Sequence, residues 1–222
     1  QEIANMCWAL ATARVVKAQT FQELGTAAAK KLRTFNIQEL ANTSWAFSRA
    51  SVRHEVLFSA YAALFAEDPG LAFKFHPQGL ANLLWSLAKQ ISLGEVSISL
   101  LSVAIVVIPA CSVVLGDLKS QEFCSVLWSC AKLGLRLGML PDADGIFNAA
   151  AEMPASKMST FSVRGLTNVL YAFIEFIGGA QCAQFQGFLS VLAMAVLGQL
   201  SSFEPVGLLY ILESVQQWFT QQ

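Results

Sequence analysis

An eleven-residue pattern that returns five times constrains this chain more than any other feature. It reads QEIANMCWALA from Gln1, QELANTSWAFS from Gln38, QGLANLLWSLA from Gln78, QEFCSVLWSCA from Gln121 and RGLTNVLYAFI from Arg164. Trp8, Trp45, Trp85, Trp128 and then Tyr171 hold its eighth position, and successive starts are 37, 40, 43 and 43 residues apart. A period of this size, with no strand signal between copies, marks an α-helical repeat array, whose single units cannot bury their apolar face and have to stack. The expected fold is all-α: an α-solenoid of stacked antiparallel helix pairs with 37–43 residues per repeat. One array over 1–222 is expected, with units starting near 1, 38, 78, 121 and 164 and a partial or capping unit near 206. Such arrays present extended surfaces to long ligands.

With the leading Gln or Arg counted as offset 0, large apolar residues recur at offset 2 (Ile3, Leu40, Leu80, Phe123, Leu166) and offset 9 (Leu10, Phe47, Leu87, Phe173). They share one arc of a helix, flanked by small residues at offsets 3 and 10, among them Ala41, Ala81, Ser48 and Ala88. Small side chains there allow a neighbouring helix to approach closely. Phe35, Phe75, Phe161 and Phe203 precede offset 0 by three residues, in the manner of a hydrophobic staple, and Pro77 and Pro205 at offset −1 mark where the helix begins. Turns such as SRASVRH from Ser48 and KLGLRLG from Lys132 then lead to second helices, expected at 21–32, 55–65, 96–107, 142–151 and 182–200, and loops with Pro69 and Pro154 close two of the units. The sixth unit, from Phe203, has Tyr210 and Glu213 where the others carry Asn and Trp; with the opening inside a repeat, a portion of a longer protein is expected.

Fourteen basic and fifteen acidic residues leave a net charge of −1, with 13% of residues charged, so no global basic field steers the chain to a polyanion. The 55% hydrophobic content points instead to extensive partner contact or a membrane. The run VSISLLSVAIVVIPACSVVLG from Val96 has the length of a transmembrane segment. It occupies the place of the third unit's second helix, however, and holds four serines and Pro109. A second helix interrupted or ended near Pro109 is expected there, and a membrane span is not. Cys7, Cys111, Cys124, Cys130 and Cys182 have no shared spacing with each other or with His54 and His76, and read as small buried residues in a reducing compartment.

The phrases FNIQELANTSWAFS from Phe35 and FHPQGLANLLWSLA from Phe75 resemble the organellar octotricopeptide and heptatricopeptide repeat proteins of algae, dinoflagellates and apicomplexans, which often end in a RAP domain. The resemblance extends from Gln1 to about Gln217, most specific in the second and third copies. It implies an α-solenoid that acts on RNA in the mitochondrion, or alternatively the plastid, in transcript stability, processing, translation or ribosome assembly. Single-stranded or ribosomal RNA and other protein subunits are the partners it implies.

Offsets 0, 4, 7 and 11 form a second stripe on the first helix: Gln38, Asn42, Trp45 and Arg49; Gln78, Asn82, Trp85 and Lys89; Gln121, Ser125, Trp128 and Lys132. Amides read base edges, indoles stack and cations meet phosphate. The candidate RNA-binding residues are therefore Arg49, Lys89, Lys132, Asn42, Asn82, Gln38, Gln78 and Gln121. A residue repeated in every unit encodes no varying base, so Asn5, Asn42, Asn82 and Asn168 are expected as a structural ladder of amides on backbone groups. Trp45 and Trp85 are expected to be largely buried between successive first helices. That leaves offset 11 (Thr12, Arg49, Lys89, Lys132, Glu175) and offset 1 as the variable reading positions. The acidic pairs Glu67 with Asp68 and Asp142 with Asp144 fit turns and helix starts. No phosphate loop, nucleophile motif or metal-ligand spacing is present, so no catalytic residue, metal or cofactor is assigned and a non-enzyme is expected. The alternative to an RNA binder is a non-catalytic scaffold or structural subunit of a large organellar complex.

Overall fold

The computed structural model describes residues 1–94, 98–178 and 183–199, and every regular element among them is helical. The chain divides into two compact units, Gln1–Asp117 and Leu118–Gln222. In the first, α1 (Glu2–Thr12), α3 (Ile37–Arg49) and α5 (Pro77–Ser92) lie side by side, α3 in the middle. Behind them α2 (Ala18–Lys31), α4 (Glu55–Glu67) and α6 (Ile98–Val113) form a second layer, α4 in the middle. In the second unit α7 (Ser120–Lys132) packs on α10 (Val163–Ile177), with α8 (Pro141–Ala151), the short α9 (Ala155–Met158) and α11 (Ala183–Gly198) around them.

The first helices begin where the sequence places them, at offset −1, for identifiable reasons. Asn36 accepts from the Glu39 N–H at 2.9 Å while the Glu39 carboxylate accepts from the Asn36 N–H at 2.9 Å, a reciprocal cap that satisfies two donors the helix leaves open. Glu122 accepts from the Lys119 N–H in the same way, and Ser162 Oγ caps α10 through the Gly165 N–H. Pro77 opens α5, where its missing donor is not needed. Phe75 and Phe161 are buried just upstream, Phe75 against Phe65 at 6.1 Å and Phe161 against Phe123 at 6.2 Å between ring centroids.

Adjacent first helices meet through the small residues. A Cβ at Gly79 would lie 3.7 Å from the Ala41 Cβ, and one at Gly165 only 3.1 Å from the Cys124 Sγ. Ser48 Oγ donates to the Ser86 carbonyl at 3.1 Å, and the Gln90 amide reaches back to the Ser48 hydroxyl and the Val52 carbonyl. In each of these contacts except Gln90 with Ser48, where the long amide reaches the other way, one helix meets the next about two positions earlier in its own count, so neighbours run in the same direction with a small stagger. Cys7, Cys111, Cys124 and Cys130 are buried. Burial pushes the thiols of Cys7, Cys124 and Cys130 up to about 12, which makes them packing residues rather than nucleophiles.

The second helices follow the expected positions with two differences. The expected stop near Pro109 does not occur: α6 continues to Val113. The proline removes only the bond to the Ile105 carbonyl, and Ile105 stands on the exposed side of the helix, where water takes that acceptor. The proline loop after α4 is a 3₁₀ turn, Pro69–Lys74, and the loop after α8 contains the single turn of α9. Val96, both ends of the expected 182–200 helix and the whole sixth unit from Phe203 lie outside the described residues. Among the described residues no helix is long and apolar enough to cross a membrane.

His54 ties the two layers of the first unit together. Its Nδ1 accepts from the Leu57 N–H at 3.1 Å, capping α4, which assigns the proton to Nε2, and Nε2 donates to the Gln22 carbonyl of α2 at 3.1 Å. Its ring also meets Phe47 edge-on at 5.8 Å. The imidazole fills the space in front of Gly25 so closely that any Cβ there would run into it. Gly25→Ala is expected to destabilise the protein by about 1–3 kcal/mol in denaturant melts. His54→Asn, which keeps a capping acceptor but shortens the side chain, should absorb most of that loss when combined with it; additive costs would show that the clash is not with His54.

Candidate functional site

At about 100° per residue, offsets 0, 4, 7 and 11 fall within a wedge of about 60°, and the remaining offsets of the first helix lie on the other five-sixths of its circumference. Packing of α3 against neighbours on three sides buries nearly all of that remainder, Leu40, Ala41, Thr43, Ser44, Ala46, Phe47 and Ser48, and the equivalent residues of α5 are buried as well. The wedge alone stays open. In the first unit it carries Gln1, Gln38 and Gln78, then Asn5, Asn42 and Asn82, then Trp8, Trp45 and Trp85, then Thr12, Arg49 and Lys89, each set at matching places on α1, α3 and α5.

Trp45 and Trp85 keep the larger part of their surface covered, as expected, though neither is fully buried, and Trp8 is 46% exposed. Offset 7 lies at one edge of the wedge, next to the buried small residue of offset 3, which leaves each indole partly covered and partly open. The expected asparagine ladder is absent. The side chains of Asn5, Asn42, Asn82 and Asn168 hydrogen-bond no protein group; Asn42, Asn82 and Asn168 are half-exposed and Asn5 is exposed. The ladder between helices is instead made by Ser48, Ser86 and Gln90.

Offset 1 loses its expected reading role for a physical reason. Glu39 and Glu122 are spent as caps, and Gly79 and Gly165 stand at the close approach to the preceding helix. Offset 11 keeps its place on the open face. Arg49 is exposed and Lys89 half-exposed, and among the described residues neither forms an ion pair or lies over a ring. Gln38, Gln78 and Gln121 are exposed, with no side-chain hydrogen bond to the protein.

The second unit carries the same wedge with different chemistry. Ser125 donates to the Gln121 carbonyl at 2.9 Å, so the offset-4 hydroxyl is turned back on its own helix. Lys132 lays its ammonium over two rings, 4.4 Å from the centre of Tyr171 and 5.8 Å from that of Trp128. The contrast with Arg49 follows from the next helix. Beside Arg49 the matching position is Lys89, a like charge; beside Lys132 it is Glu175, whose carboxylate is already held by Arg136 at 2.9 Å. Seven of the eight candidate residues thus stand on open faces with no side-chain partner, six of them in the first unit, whereas Lys132 is engaged with its neighbours' rings.

Elsewhere polar groups are committed to the fold. Glu67 pairs with Arg33, Asp68 with Lys74 at 3.0 Å, and Asp144 accepts from the Gly138 N–H at 3.0 Å. A cavity of about 260 Å³ in the first unit is lined by Arg53, His54, Glu55, Ser59 and Gln90, but Arg53 pairs with Glu55 at 3.0 Å and both His54 and Gln90 hold backbone groups. Among the described residues no group of three or more His, Cys, Asp and Glu is placed to hold a metal ion. No protein-family model matches the chain, and no curated protein matches it significantly.

Cations beside half-exposed indoles give the open face a measurable signature. In variants that keep only Trp45 or Trp85, iodide is expected to quench the emission more strongly than caesium at equal ionic strength, because Arg49 and Lys89 draw anions to the rings. Arg49→Gln with Lys89→Gln should bring the two quenchers together. Equal quenching by both ions in the parent variants would show that the cations do not face the indoles.

Proposed function

We propose that this chain is part of an α-solenoid that binds single-stranded or ribosomal RNA in an organelle, in the mitochondrion or alternatively the plastid, and serves RNA stability, processing, translation or ribosome assembly. The observation that carries this reading is the strip shared by α1, α3 and α5, where amides without protein partners, half-exposed indoles and two cations without counter-ions repeat at matching places. Nucleotides need all three: donors and acceptors for base edges, flat apolar surface for base faces and positive charge for phosphate. The organellar setting rests on the resemblance of the repeat phrase. A net charge of −1 gives no global attraction to RNA, so the reading rests on the local charge of Arg49 and Lys89, which form no ion pair among the described residues.

Protein subunits as additional partners are favoured by a separate observation. The second-helix layer of the first unit exposes Val56, Ile98, Ile105 and Val113, with Ile98 83% and Val113 73% accessible. Large apolar side chains at such exposure fit a surface that another subunit covers. In this reading the first-helix face takes RNA and the second-helix layer meets protein, as in a component of a large ribonucleoprotein.

The test is the binding of a fluorescein-labelled single-stranded RNA to the full chain, titrated across salt concentrations. Arg49→Gln with Lys89→Gln is expected to weaken binding and to lower the slope of log affinity against log salt by about 1.4, at about 0.7 per phosphate contact on a single strand. An unchanged affinity and slope, or these two side chains found against protein in an assembled complex, would favour the scaffold alone.

A further inference from the structure

The tryptophan row calls for an account of its own, because large apolar rings at a solvent-facing position gain little from folding. Offset 7 lies at one edge of the open wedge of α1, α3 and α5, where Trp8 is 46% exposed and Trp45 and Trp85 each keep part of their surface open. On each helix Asn stands three positions before the ring and Thr, Arg or Lys four positions after it, so all three side chains are neighbours on one face. The second unit shows that ring faces at this position are open to a ligand from solvent: the Lys132 ammonium reaches over Tyr171 at 4.4 Å and Trp128 at 5.8 Å. A cation from the same face is the occupant there; in the first unit the cations at the matching positions, Arg49 and Lys89, repel a further cation and attract an anion. The ligand of the first-unit rings is therefore flat and negatively charged.

Resting on the RNA reading above, we propose that Trp8, Trp45 and Trp85 form a base-stacking row, with Asn42 and Asn82 at base edges and Arg49 and Lys89 at phosphates, and that Lys132 holds the matching Trp128–Tyr171 ring pair closed to bases. The row binds by base faces and so tolerates sequence variation, which agrees with rings that do not vary between units. Lys132 is a built-in competitor: its ammonium occupies the ring faces a base would need. The two units then differ in how they take a strand. The first stacks bases directly, and the second does so only when Lys132 swings away.

Two probes of equal length separate this inference from the reading it rests on: a mixed-sequence single-stranded RNA and an abasic ribose-phosphate chain. RNA is expected to quench tryptophan emission and to bind roughly tenfold or more tightly than the abasic chain. Trp85→Leu, which keeps apolar bulk and should fold, is expected to lose about tenfold for RNA and to leave the abasic chain unaffected. Lys132→Met, which retains the aliphatic stem, should raise the ratio of RNA to abasic affinity. Equal binding of both probes with unchanged emission would overturn the stacking row while the RNA reading stands. An equal fall in affinity for both probes on Lys132→Met would make Lys132 an ordinary phosphate contact and overturn its closing role. Failure of both probes to bind at low salt would remove the RNA reading and this inference with it.

Discussion

Close contact between parallel first helices governs the remainder of the first unit. Gly79 against Ala41, and Ser48 against the Ser86 carbonyl, bring α3 and α5 near enough that side chains on both flanks are shut away from water. With the second layer behind, three sides of α3 are covered and one narrow strip remains. Any bulkier residue at these contacts would push the helices apart, widen the strip and separate the rows that make it a surface. The same contact recurs in the second unit between Gly165 and Cys124. The function proposed for the strip thus depends on residues with almost no side chain at all.

The helices were legible in the sequence because three signals agreed: the apolar offsets, the small offsets and the start marked by Phe, Pro or a capping residue. Four of the second helices were legible in place, since turns with Gly or Ser bracket them. Pro109 misled because a proline four residues from a helix end on an exposed side removes one hydrogen bond that water replaces, which a local rule about breakers does not weigh. The site was only half legible. Arg49 and Lys89 could be picked out by position, and Trp45 is mostly covered as its residue type suggests, while its angle at the edge of the open strip leaves part of the ring uncovered. Asn42 was read as structural because it repeats from unit to unit, yet its side chain bonds no protein group. The offset-1 roles of Glu39 and Gly79 follow only from the cap and the neighbouring helix, neither of which the repeat pattern exposes.

The two units differ in what they display at the same offsets. Arg49 and Lys89 hold offset 11 in the first and form no ion pair among the described residues; Lys132 and Glu175 hold it in the second, the lysine over the Trp128 and Tyr171 rings and the acid paired with Arg136. An anion-attracting strip and a self-satisfied one are thus carried by the same helical pattern. Repeat proteins gain local variation in this way, since the packing residues and the displayed residues occupy separate offsets.

The two-position stagger between neighbouring first helices has a directional consequence. At about 1.5 Å per residue each helix is offset from the last by about 3 Å, across an interaxial distance of about 8–10 Å. The rows of matching side chains therefore cross the helices obliquely, always with the amides toward the helix starts and the cations toward the helix ends. A strand laid along such a slanted, two-edged track meets a different surface when it is turned end for end. Chain polarity, and not only base identity, becomes something that this face can distinguish.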